Sequence, residues 1–126
     1  METSTMRKLA AAALALTGLL HLILAPEYMA EQAYIGVLFI AGGLSSLAIG
    51  AWLWAKDDSR AWVLGSLVAL GMAVGFILSR TTGLPGFHEG EWELSGIISV
   101  LLEIGVVTLA LAAMRSPRSN VSGATI

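Results

Sequence analysis

Two ionisable residues stand alone inside long uncharged stretches of this 126-residue chain. Glu103 interrupts the run from Leu94 to Met114, and His21 lies near the end of the run from Leu9 to Ala25. A third, Arg80, closes the uncharged run from Ala61 to Ser79. If these runs cross a bilayer as helices, a charged side chain facing lipid costs about 2.5–3.5 kcal/mol on insertion scales, so each residue is expected to turn toward protein. At roughly 1.5 Å of rise per residue, Glu103 sits about 13 Å from the start of its helix and His21 about 6 Å from the outer end of its own. Helical side chains lean toward their own N-terminus. His21 and Arg80, on helices running outward, therefore reach down, while Glu103, on a helix running inward, reaches up. The expectation is that the three meet below the outer surface, where Arg or a protonated His would stabilise the carboxylate through a charge-assisted hydrogen bond. Thr17, Ser45 and Ser79 are further potential hydrogen-bond donors.

Such a cluster serves one of two ends, and the sequence leaves both open. It could fasten helices together as a polar lock, or it could be a proton relay, a site for a small ligand or cation, or the polar end of a quinone or lipid pocket. The connection from Arg80 to Glu93 adds to the picture, because Pro85 followed by Gly86 suits the centre of a type II turn, flanked by Leu84 and Phe87. An ordered lid over the outer end is expected. His88 and Glu89 in this loop, with Glu27 from the other outer connection, are weak candidates for a divalent metal, since the helical two-His zinc motif is absent. Bis-histidine haem would need two histidines on facing helices, and only His21 lies in a span. No phosphate-cradling glycine loop or nucleophile elbow occurs, so no cofactor is expected and a conventional enzyme is disfavoured.

The elements that must position these residues follow from composition. The chain is 56% hydrophobic and only 13% charged, with a mean hydropathy of +0.80, which is the balance of a protein solvated by lipid. A net charge of −2 gives no basis for nucleic-acid binding, and the absence of cysteine excludes disulfides and thiolate chemistry. The expected fold is all-α, an integral membrane bundle of four helices at about 7–25, 33–55, 61–80 and 94–114, within a single transmembrane domain. Short connections favour an up-down-up-down order with the first and fourth helices adjacent. A secretory signal peptide is disfavoured for the first run, because Ile23 and Pro26 spoil a cut after Ala25. Residues 116–126 read as a short disordered tail.

Six of the seven basic residues, Arg7, Lys8, Lys56, Arg60, Arg115 and Arg118, fall on one side of this arrangement, and only Arg80 falls on the other. Both termini are therefore expected in the cytoplasm. Trp52, Trp54 and Trp62 mark that boundary, and Tyr28, Tyr34 and Trp92 the outer one, which also collects Glu27, Glu31, Glu89, Glu91 and Glu93. Small residues at four-residue spacing, Gly71 with Gly75 and Ser46 with Gly50, point to close helix packing or oligomerisation.

The run Ser79-Arg80-Thr81-Thr82-Gly83-Leu84-Pro85-Gly86-Phe87-His88-Glu89, the following Glu91-Trp92-Glu93, and the segment from Gly18 to Glu27 together resemble a family of small uncharacterised bacterial four-span membrane proteins. The resemblance implies a multi-pass protein of the bacterial cytoplasmic membrane and assigns no activity. From composition and the small-residue faces, the expected partners are the lipid bilayer and either a second copy or a larger membrane complex. The functional expectation is a polar site near the outer face built from His21, Arg80 and Glu103, with Glu27, His88 and Glu89 at its edge. The alternatives are an accessory subunit and a small enzyme acting on lipid or quinone.

Overall fold

The computed structural model describes residues 2–115, which form four helices: α1 (Thr3–Glu31), α2 (Ala33–Ala55), α3 (Ser59–Arg80) and α4 (Leu94–Arg115). Each is long and apolar enough to cross a membrane. No strand occurs among the described residues, and the expected tail at 116–126 lies outside them. Helix α1 packs on α2 and α4, and α3 packs on α4 and α2, so the first and fourth helices are neighbours.

The first helix departs from expectation. Pro26, expected to open a connection, lies inside α1, which continues to Glu31, so Gln32 alone joins α1 to α2. A proline in a helix removes one backbone hydrogen bond and costs about 3 kcal/mol by propensity. The extra turn is held by what it buries: Ala25 and Tyr28 are almost wholly enclosed, with Tyr28 stacked on Phe39 at 4.5 Å and meeting the edge of Phe87 at 5.7 Å. His21 therefore lies ten residues, not four, before the end of its helix.

The α1–α2 contact is close because small residues face one another. A Cβ added at Gly18 would stand 2.8 Å from the Gly43 carbonyl oxygen, one at Gly43 would stand 2.8 Å from that of Gly18, and one at Gly50 would stand 3.0 Å from that of Ala11. Between them, Ser46 Oγ donates to the Leu14 carbonyl at 2.5 Å. Ser46 and Gly50 thus pack as their spacing implied. Gly71 and Gly75 do not: a Cβ at either would meet nothing within 4 Å, because that face of α3 borders open space.

The two halves of the bundle are filled differently. Leu14, Leu53, Trp62, Val106 and several alanines form a continuous core in the half that holds the start of α1 and the end of α4. Arg7 Nη1 donates to the carbonyls of Leu53 (2.7 Å) and Trp54 (2.5 Å), satisfying two acceptors that the last turn of α2 leaves open. Asp58 caps α3 by accepting from the Arg60 backbone N–H at 2.9 Å, and hydrogen bonds from the Arg60 guanidinium hold its carboxyl below the usual aspartate range. Among the described residues, the opposite half has a small cluster of Tyr28, Ile35 and Phe87 under the 81–93 connection.

That connection is ordered by its turn. Leu84 N–H donates to the Phe87 carbonyl at 2.7 Å and Phe87 N–H to the Leu84 carbonyl at 2.9 Å, closing a tight turn around Pro85 and Gly86. Gly86 has φ of +66°, a conformation that glycine adopts without steric cost. Tyr34 donates to the Pro85 carbonyl, and Gln32 Nε2 donates to that of Gly86 at 3.0 Å, pinning the turn to the start of α2.

Candidate functional site

Helix spacing builds the deeper polar group. Thr17 and His21 lie four residues apart on α1, and Ser99 and Glu103 four apart on α4, so each pair stacks on one helical face. Where the two faces meet, Glu103 Oε2 accepts from Thr17 Oγ1 and from Ser99 Oγ, both at 2.6 Å, and the two hydroxyl oxygens are themselves 2.7 Å apart. Three oxygens in mutual contact make three edges, each calling for one proton. The hydroxyls supply two, so all three edges are bonded only when Oε2 carries the third proton and donates to one hydroxyl while accepting from the other. Glu103 is 1% exposed, and its other oxygen, Oε1, is buried without a hydrogen-bond partner.

His21 borders this ring without joining it. Its Nδ1 lies 2.8 Å from the Thr17 carbonyl oxygen, and its Nε2 lies 4.0 Å from Glu103 Oε2, beyond hydrogen-bond reach. A carbonyl only accepts, so Nδ1 carries the proton in that bond. The ring also lies against Phe39, with centroids 4.8 Å apart.

Arg80 forms a second, separate group nearer the loop. Its Nε donates to the Glu91 carbonyl (3.1 Å), Nη1 to Ser79 Oγ (2.7 Å), and Nη2 to Tyr28 Oη (2.8 Å) and to the Glu93 carboxylate. Tyr28 in turn donates to Glu93 Oε1 at 2.8 Å, and the guanidinium covers the Phe76 ring at 4.0 Å. This corrects the expected convergence: Arg80 is bonded to Glu93, not Glu103. The loop folds back on α3, as the Glu89 N–H to Ser79 carbonyl bond at 2.8 Å records, and brings Glu93 alongside the last turn of α3. The network is a clasp joining α1, α3 and the entry to α4.

The weaker candidates are dispersed. His88 Nε2 contacts the Thr81 carbonyl at 3.0 Å, Glu89 Oε1 accepts from the Glu91 N–H at 3.3 Å, and Glu27 is exposed on α1. No group of three potential metal ligands occurs among the described residues.

Between the two polar groups lies a cavity of about 360 Å³, near the lower end of the size range of small-molecule pockets. His21, Ser99, Tyr28, Arg80 and Glu93 contribute its polar wall, and Phe39, Phe76, Leu84, Phe87, Gly71 and Gly75 are among its apolar lining. Leu38 on α2 and Leu67 on α3 also line it while being more than half exposed, so the cavity opens sideways between α2 and α3. Leu84 and Phe87 close it from the loop end.

Several participants were not singled out from sequence. Ser99 was identifiable from its four-residue spacing to Glu103, whereas Phe39 was one apolar residue among many. Tyr28 and Glu93 read as boundary residues because nothing local marks them as partners of Arg80. Comparison with protein-family models, curated proteins and solved structures returns no match.

Proposed function

We propose that the protein is a multi-pass component of a bacterial cytoplasmic membrane that binds a small amphipathic molecule taken from the bilayer into its outer half. In this reading the chain crosses up-down-up-down with both termini in the cytoplasm, as the distribution of basic residues supports. The observation that carries the ligand reading is the lateral cavity, apolar on most of its surface and polar on one wall. A site of this shape holds an apolar body by contact and orients it by a few hydrogen bonds. Gly71 and Gly75, which could have packed against a larger complex, line the cavity instead, so ligand binding is favoured over an accessory role.

The test uses the space above those glycines. Gly75→Phe places a ring where no atom stands within 4 Å of the glycine's Cβ position, so it should fill the cavity while leaving the bundle folded. Protein purified in lipid nanodiscs and extracted with organic solvent should release a stoichiometric small molecule, identified by mass spectrometry, and the Gly75→Phe variant should not. Identical extracts from the two proteins would overturn the proposal. Orientation is tested separately in the naturally cysteine-free chain. Cysteine at Gly90 should react with an impermeant maleimide added outside intact cells, and cysteine at Lys56 only after lysis. Labelling of both from outside would refute the topology.

A further inference from the structure

Resting on the reading of the cavity as a ligand site, we infer that its ligand is a neutral amphiphile whose polar end carries a hydrogen-bond donor, an O–H or N–H, received by His21 Nε2. Most groups on the polar wall are already committed to one another. Arg80 already places four hydrogen bonds on Glu91, Ser79, Tyr28 and Glu93, and its charge is matched by the Glu93 carboxylate. An anionic head group would find no free cation there. Glu93 in turn is committed through Oε1 to both Arg80 and Tyr28. Ser79 Oγ donates to the Phe76 carbonyl at 2.7 Å while accepting from Arg80, and Ser99 belongs to the ring around Glu103. Ser45, on α2, both donates and accepts and imposes no preference.

Glu93 keeps Oε2 as an acceptor but its side chain is 30% exposed, whereas His21, at 12%, is the more enclosed acceptor. With the Nδ1 proton directed at the Thr17 carbonyl, Nε2 is the acceptor of the imidazole. The alternative, an imidazolium donating from Nε2, has no acceptor in reach among the described residues, because Glu103 Oε2 is 4.0 Å away. An acceptor on the wall of a largely apolar cavity loses its bond to water when the site fills, unless the ligand donates to it. Alcohols, phenols and amides satisfy it, whereas ethers and hydrocarbons of the same size do not.

A matched pair of probes tests this: 1-naphthol, which donates, and 1-methoxynaphthalene, which only accepts. Each is distributed by equilibrium dialysis between nanodiscs carrying the full-length protein and empty nanodiscs, which removes the contribution of lipid partitioning. The protein should retain naphthol about tenfold more strongly than its methyl ether, the factor corresponding to one good hydrogen bond. His21→Phe keeps a ring against Phe39 and should reduce that preference to within about twofold. Equal retention of the two probes by the unaltered protein would overturn the donor requirement, independently of whether His21→Phe folds. A preference that persists in His21→Phe would remove His21 from the assignment. Failure of both probes to bind, or undiminished binding to Gly75→Phe, would instead overturn the cavity reading itself.

Discussion

The ring of Thr17, Ser99 and Glu103 makes a prediction about which atoms hold α1 to α4. Thr17→Val keeps the shape of the side chain and removes the hydroxyl that crosses to Glu103 at 2.6 Å. Interhelical hydrogen bonds in membranes average about 0.6 kcal/mol and reach about 1.7 kcal/mol. This one is wholly buried and shares its acceptor with Ser99, so a loss near the upper end, about 1.5 kcal/mol, is expected. In a Glu103→Leu background the same change should cost only about 0.5 kcal/mol, because the Ser99 hydroxyl at 2.7 Å is the one partner left, leaving a coupling energy of about 1 kcal/mol in the double-mutant cycle. Glu103→Gln should cost less than about 1 kcal/mol, since its amide can supply the third donor that the ring's three edges require. The assay is reversible unfolding in mixed micelles, followed by helix content as denaturing detergent is added. A coupling energy near zero, or a Glu103→Gln variant as destabilised as one lacking the side chain, would refute the proton count on which the reasoning rests.

Tyr28→Phe removes a hydroxyl that accepts from Arg80 and donates to Glu93, and should lower stability in the same assay by about 1 kcal/mol while leaving the ring stacked on Phe39. Gly18→Leu should disrupt the α1–α2 contact, because even its Cβ would stand 2.8 Å from the Gly43 carbonyl oxygen, whereas Gly71→Leu, with open space above it, should fold normally; comparing the yields of folded protein checks both. At the other end, Asp58 has its pKa lowered by Arg60, so the stability it lends is complete above the ordinary aspartate value of 3.8 and fades as pH falls through the lowered one. Asp58→Asn should therefore flatten this small acid-side dependence, measured by unfolding between about pH 5 and pH 3.

The spans were legible because hydropathy is a local property, and an apolar run of about twenty residues has few alternatives to a helix in lipid. The Pro85-Gly86 turn was legible for a similar reason, since the dihedral preferences of two adjacent residues determine it. The candidate site was legible only in part. Burial of Glu103 follows from the cost of exposing it, and its interior location does not depend on knowing its partners. The partner of Arg80 does depend on such knowledge. Glu93 and Glu103 are both carboxylates of the loop–α4 region, and the choice between them rests on how the 81–93 connection folds back on α3.

The chain by itself determined four apolar helices, the side-by-side placement of the first and fourth, and the isolation of Glu103 and His21 within them, because each follows from composition, loop length or solvation. Tertiary structure decided the rest. It carried α1 through Pro26 by burying Tyr28, separated the expected polar cluster into an Arg80–Glu93 clasp and a Glu103 ring, and left Gly71 and Gly75 facing a cavity instead of a helix. These outcomes depend on which faces meet across elements far apart in sequence, and small residues permit either close packing or open space until a neighbour's position chooses between them.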